Sequence, residues 1–200
     1  HQHKVESRNS DWRRIEDQLE KTLQSPGKRP IQRAIYTTHG VVGAGGGGKR
    51  SRRVADEYSA SVEDRQRRED GGSLAFADFV VWLGDLNYRI DMARREVVES
   101  IAENKVEELA SRDQLRKAQT EGRVARGYRE GELSFKPTYK YDPASDVYDS
   151  SVKARVPAWT DRILFKSRRG DDLRLVSYAA CDDVKSSDHR PVMAYFEAST

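Results

Sequence analysis

The sequence has a single cysteine, Cys181, so no disulfide can close within the chain and a reducing compartment is the expected setting. Long apolar runs are missing too: nothing approaches the roughly 18 residues that a membrane-spanning helix needs. No secretory signal pattern is present among the 200 residues. A cytoplasmic setting is therefore expected, with any membrane contact peripheral. A dominant charge is also absent. Against 36 Lys and Arg stand 33 Asp and Glu, for a formal net charge of +3, whereas a nucleic-acid binder is expected to carry a basic stripe. Hydrophobic residues are lean at 36% and charged ones rich at 34%, compared with about 25% charged in an ordinary domain. The length suits one domain with a real core and at least one disordered segment. The chain opens His1-Gln2-His3 without an initiator Met and is expected to be a piece of a longer protein.

What is present centres on residues 79–89. Phe79-Val80-Val81-Trp82-Leu83 is a short run of β-branched and aromatic residues, which predicts a strand buried on both faces. Gly84-Asp85-Leu86-Asn87-Tyr88-Arg89 follows directly. A carboxylate and an amide at the end of a buried strand lie at the rim of a sheet, where α/β proteins bind ligands. Alone, the same residues are equally the signature of an Asx turn.

Around this centre, residues 3–24 predict an amphipathic helix, with Val5, Trp12, Ile15, Leu19 and Leu23 on one face. Ser25-Pro26-Gly27 ends it. Ile31 to Tyr36 reads as a short strand. Residues 37–73 hold more than half of the 14 glycines, including Gly45 to Gly48, and nearly balanced charges. Gly-Gly-Gly-Gly-Lys-Arg-Ser lacks the spacing of a phosphate loop, so the stretch is expected to be a disordered insertion, with a membrane-touching basic patch as the second reading. Ile90 to Ala118 predicts a helix, ended at Glu121-Gly122. Pro137 and Pro143 keep the intervening Thr138-Tyr139-Lys140-Tyr141-Asp142 extended. Ile163–Phe165 and Leu173–Tyr178 read as strands joined by a hairpin turn at Arg169-Gly170-Asp171, and Pro191–Phe196 as the last strand.

Three short polar motifs thus sit at strand ends: Asp85 with Asn87, Asp161 beside Arg162, and Asp188-His189. Each is weak alone. Together they offer what metal-assisted phosphoester hydrolysis requires: carboxylates to hold a divalent cation or take a proton from water, an amide to orient a phosphoryl group, and a histidine steadied by a carboxylate.

With these blocks in place the sequence resembles the inositol polyphosphate 5-phosphatases. The resemblance rests on Trp82-Leu83-Gly84-Asp85-Leu86-Asn87-Tyr88-Arg89, Pro157-Ala158-Trp159-Thr160-Asp161-Arg162-Ile163-Leu164 and Ser187-Asp188-His189-Arg190-Pro191-Val192. It is supported by Pro137–Asp142 and Lys153–Pro157, and by Gln2–Asn9, which is similar to the stretch after the family's His-Leu-Ala-Ala motif. The resemblance implies an α/β fold, part of a four-layer α/β/β/α sandwich of the DNase I type. It implies Asp85 as general base, Asn87 on the scissile phosphate, Asp188 as a ligand of Mg²⁺, and His189 as a donor oriented by Asp161. Tyr139, Lys140, Lys153 and Arg155 are expected to form a cradle for a second phosphate, the neighbouring 4-phosphate of an inositol ring. Thr160 stands where the family usually has Cys and is expected to be a packing change without consequence. The family's metal-ligand Glu, its Asn near the phosphate and the His of His-Leu-Ala-Ala find no match, so the 200 residues alone are expected to be weakly stable and inactive. The substrate is expected to be a phosphoinositide or a soluble inositol phosphate, not a nucleic acid. Two alternatives remain open at this point: a nuclease of the same superfamily, and a catalytically dead phosphoinositide-binding module.

Overall fold

The computed structural model describes residues 2–23, 33–37, 40–41, 78–168 and 172–198. The amphipathic pattern at the start forms helix α1 (Gln2–Leu23), whose Val5 and Trp12 are buried. The expected early strand forms as β1 (Arg33–Thr37). Most of the expected insertion at 37–73 lies outside the described residues. Within it, Gly40–Val41 forms the short strand β2, which the glycine-rich composition does not suggest.

The central strand, β3 (Phe79–Asp85), lies in a sheet of order β2-β1-β3-β5-β4, with β4 at Arg129–Glu130 and β5 at Asp161–Ser167. β1 and β3 are parallel, and the other pairs are antiparallel. Only Val80 and Trp82 of the β3 apolar run are buried, while Phe79, Val81 and Leu83 are half-buried, so one face of the strand is drier than the other. A second sheet pairs β6 (Leu173–Ala180) with β7 (Val192–Ala198). The expected hairpin between β5 and β6 does not form: the two strands lie in different sheets, and residues 169–171 fall outside the described ones. The burial pattern gives the reason. Arg162, Ile163, Leu164 and Phe165 are buried in succession, which requires cover on both faces and a central position. β6 buries only Leu173 and suits a sheet exposed on one side.

The helix expected at 90–118 is three short ones: α2 (Arg94–Ala102), α3 (Val106–Ser111) and α4 (Gln114–Thr120). Asn104 interrupts the first pair in the left-handed region at φ 57°, a conformation Asn tolerates better than most residues. Asp113 separates the second pair and caps α4 by accepting the Arg116 amide at 3.0 Å. Apolar spacing runs on through the breaks although the pieces divide between two cores, Val97, Ile101, Val106 and Leu109 in one and Leu115 and Ala118 in the other.

Two apolar clusters hold these elements to the sheet. In one, Trp12 of α1 stacks on Trp82 of β3 at 4.0 Å between ring centres, with Tyr128 edge-on to both. In the other, Ile90, Val97, Leu109 and Leu133 surround Trp159, which is fully buried. The sheets meet through Phe165 of β5 and Phe196 of β7, 4.9 Å apart edge-to-face. Gly131 lies under Tyr178; a Cβ there would come 2.6 Å from the ring, so the close approach needs glycine.

Candidate active site

β3 and β5 are in register so that Asp85, the last residue of one, faces Asp161, the first of the other. Two carboxylates therefore end adjacent strands at one rim. Beyond β3 the chain turns tightly: the Leu86 and Asn87 amides donate to the Thr160 carbonyl at 2.7 and 3.3 Å. The Asn87 amide also donates to Asp85 Oδ1 at 2.9 Å, and Asn87 takes φ 61°. The Asx turn and the rim site are thus the same structure.

The histidine arrives by a strand-like relay. Tyr139 bridges Ala158 on one side and His189 on the other. The Arg190 amide donates to the Thr138 carbonyl at 2.8 Å, and the Tyr141 amide to that of Asp188 at 2.9 Å. Residues 138–141 thereby lay the 188–190 segment beside the start of β5. His189 Nδ1 then lies 2.6 Å from Asp161 Oδ2, and its Nε2 4.0 Å from Asp188 Oδ1. The ring tilts against Tyr139 at 4.6 Å. Beneath this segment Arg190 is buried, with its guanidinium 4.0 Å over the Tyr141 ring and bonded to the Ser145 and Ser187 carbonyls.

The electrostatics follow from these contacts. Partial burial and Asp161 across the ladder raise the Asp85 pKa above the ordinary carboxylate value, against the pull of the Asn87 amide. The bond to Asp161 raises that of His189, against its partial burial. Burial works upward on Asp188, but the bond from Lys140 and the charge of His189 outweigh it and hold the carboxyl low. Lys140 Nζ lies 3.1 Å from Asp188 Oδ2.

Thr160 is not a mere packing residue. Its side chain is buried, and its hydroxyl donates to Asp161 Oδ2 at 3.0 Å, 3.4 Å from His189 Nδ1. One carboxylate oxygen thus has both the hydroxyl and the imidazole on it.

Lys153 and Arg155 line a neighbouring cleft of about 690 Å³, together with Arg8, Arg89, Asp91 and Glu96. Their loop is fixed from below by the buried Asp149. Oδ2 accepts the Arg155 amide at 2.6 Å, and Oδ1 accepts the Ser151 hydroxyl at 2.6 Å and its amide at 3.2 Å. Arg94, at the start of α2, donates to the Tyr148 and Asp149 carbonyls at 3.1 Å each. Lys140 does not line this cleft, being taken up by Asp188. Arg89 links the two regions: it lines the cleft and lies 4.5 Å over the Tyr139 ring. Asp85, Asn87, Asp161, Asp188, His189, Tyr139 and Lys140 are therefore brought to one rim, with Lys153 and Arg155 in the cleft beside it. Sequence reasoning missed Thr160, Asp149 and Arg89. Thr160 and Arg89 lie inside the quoted blocks, and their adjacency to Asp161 and Asn87 was the available signal.

A family model, Endonuclease/Exonuclease/phosphatase family 2, matches residues 1–195. The chain belongs to this family. Among curated relatives, it is 51% identical over 120 residues to the type IV inositol polyphosphate 5-phosphatase 11 of Arabidopsis thaliana, a match covering 58% of this chain and 36% of that protein. Among solved structures, the inositol polyphosphate 5-phosphatase domain of SpSynaptojanin, in complex with inositol (1,4)-bisphosphate and calcium ion, matches at TM-score 0.60 and 45% identity. That match covers 64% of this chain and 37% of the other. A Cimex nitrophorin in its ferrous NO complex matches at TM-score 0.59 and 33% identity, over 72% of this chain and 49% of that one. The chain thus spans about a third of the length of the Arabidopsis relative and of the synaptojanin domain. The resemblance to 5-phosphatases read from the quoted blocks is borne out, and the α/β fold is that of the synaptojanin domain.

Proposed function

We propose that the protein containing this chain hydrolyses the 5-phosphate of phosphoinositides or inositol polyphosphates. The fold alone does not carry this, since a nitrophorin shares it. The observation that carries it is the convergence of Asp85, Asn87, the Asp161–His189 pair and Asp188 at one rim, beside a cleft lined by Lys153 and Arg155.

In this reading Asp85 takes a proton from the attacking water, a role that suits a carboxylate whose pKa is raised above the ordinary value by burial and Asp161. The water oxygen bonds phosphorus as the bond from phosphorus to the oxygen on inositol carbon 5 breaks in line, without a phosphoenzyme. That oxygen takes a proton from solvent and leaves as the hydroxyl, and Asp85 returns the water's proton to solvent. Asn87 donates to the phosphoryl group. His189, whose pKa the bond to Asp161 raises, donates to another phosphate oxygen when protonated. The rim suits a magnesium-type cation in part. Mg²⁺ is commonly held by one or two carboxylates and several waters, and Asp188 offers such a carboxylate, but no group of three or more His, Cys, Asp or Glu side chains suited to a metal occurs among the described residues. Asp188 would hold the cation with waters filling out its shell, and the cation would supply charge neutralisation at the phosphate. The calcium in the synaptojanin complex supports a divalent site. Lys153 and Arg155 would receive the adjacent 4-phosphate as charge-assisted donors. No helix among the described residues is long and apolar enough to cross a membrane, and contact with a lipid substrate would be peripheral.

The test is phosphate release by the full-length protein from a panel of inositol phosphates and phosphoinositides, with and without Mg²⁺. Release of the 5-phosphate only with the cation is expected. Cleavage of an abasic DNA duplex with no action on inositol phosphates would instead establish a nuclease, and lipid binding without release a binding module. Lys153→Ala with Arg155→Ala should raise KM for a 4,5-bisphosphate at least about tenfold more than for a lone phosphoester. Equal losses on both would remove the second-phosphate role.

A further inference from the structure

Arg89 stands two residues beyond Asn87, half-buried, and makes no salt bridge among the described residues. Its donors go to Asn87 instead: Nη2 donates to Asn87 Oδ1 at 2.5 Å and Nε to the Asn87 carbonyl at 3.3 Å. The guanidinium also covers the Tyr139 ring at 4.5 Å, and that ring leans on His189 at 4.6 Å. Its own backbone is pinned, with the Arg89 amide donating to Gln114 Oε1 at 3.0 Å. The same oxygen accepts Arg8 Nη1 at 2.9 Å, so the Arg8 guanidinium is held beside the Arg89 backbone amide. Burial and Arg89 together lower the pKa of Arg8.

A side-chain amide has two ends of similar shape, and its terminal torsion is broadly two-fold. Toward a phosphate the difference is decisive, because the oxygen repels the anion and the nitrogen donates to it. Arginine has donors and no acceptor, so a guanidinium bonded to one end determines which end that is. Asn87 Nδ2 makes no hydrogen bond among the described residues and is the donor left over. We propose that Arg89 is a positioning residue that fixes the Asn87 amide with its oxygen held and its nitrogen free for the phosphoryl group, while supporting the Tyr139–His189 contact. The inference rests on the hydrolase reading of the same rim.

The test uses the full-length protein with Arg89→Met, which keeps the stem and removes the donors, Arg89→Lys, Asn87→Ala, and the double variant Asn87→Ala/Arg89→Met. Arg89→Met should lower kcat by about tenfold to a hundredfold, with KM changed by less than about twofold. Arg89→Lys, which restores one donor, should recover part of the loss. In the Asn87→Ala background, Arg89→Met should cost less than about twofold further, because the group it positions is gone. A loss confined to KM, or losses that multiply in the double variant, would instead place Arg89 on the substrate and overturn the assignment. A second readout needs no turnover: the ¹⁵N side-chain amide signal of Asn87 should be ordered in the unsubstituted protein and averaged in Arg89→Met. Unchanged order would sink the proposal. If the unsubstituted protein releases no phosphate, the hydrolase reading fails, while the amide signal still decides whether Arg89 holds Asn87.

Discussion

At the scale of the residue, the rim depends on short polar side chains whose alternatives are closed off by neighbours. Asp161 Oδ2 receives the His189 imidazole and the Thr160 hydroxyl at once, so the carboxylate is held on both sides. Thr160→Val keeps the shape and removes one donor from a half-buried acceptor. A hydrogen bond of about 1 kcal/mol corresponds to roughly a fivefold fall in kcat. That fall, with KM little changed and with recovery in Thr160→Ser, is expected in steady-state assays of the full-length protein. Wild-type kcat in Thr160→Val would return Thr160 to the packing role its position in the family pattern suggested.

At the scale of the element, the loop carrying Lys153 and Arg155 is exposed along residues 150–155, yet its course is set by one buried carboxylate and by Arg94 of α2. Hydrogen bonds from Ser151, and then from the Arg155 amide, hold the Asp149 pKa below the ordinary carboxylate value despite its burial. A carboxyl depressed in the folded state contributes stability at pH above its unfolded range and loses it as pH falls through its folded value. Anchoring of the loop by Asp149 should therefore be independent of pH between about 5 and 8, and fail only in acid below the usual carboxylate range near 3.9. Hydrogen exchange of the Arg155 amide across that span is the measurement. Asp149→Asn imitates the protonated form at neutral pH. It should raise KM for a 4,5-bisphosphate in the direction of the Lys153/Arg155 double variant, with kcat nearly unchanged.

At the scale of the whole molecule, Arg162 joins the helices to the sheet. It is fully buried on β5, with both Asp113 oxygens at 2.9 and 3.0 Å and both Glu130 oxygens at 2.7 and 2.6 Å. Tyr178 of the second sheet donates to the same Glu130 at 2.9 Å, so four elements share one network. Arg162→Met would leave two carboxylates buried without their cation, which costs about 3–5 kcal/mol in comparable pairs. A fall of that order in urea unfolding free energy is expected, and a change under about 1 kcal/mol would show that the carboxylates find other partners or protonate cheaply. Val176, Met193 and Tyr195 are exposed on the sheet formed by β6 and β7. Composition and local pattern were enough to fix where α1, β1, β3, β6 and β7 run, because each carries an apolar periodicity or a short apolar run in its sequence. The quoted blocks were enough to name the rim residues, because short polar side chains after a buried strand point to a sheet edge. Tertiary structure alone decided that β5 and β6 part into two sheets, that Ile90 to Ala118 breaks at Asn104 and Asp113, and that Thr160, Asp149 and Arg89 have polar partners. Some of those outcomes depend on groups far apart in the chain, such as Arg162 meeting Asp113 across 49 positions. The Asp161, Arg155 and Asn87 partners of Thr160, Asp149 and Arg89 lie within six residues, but apolar periodicity records none of them.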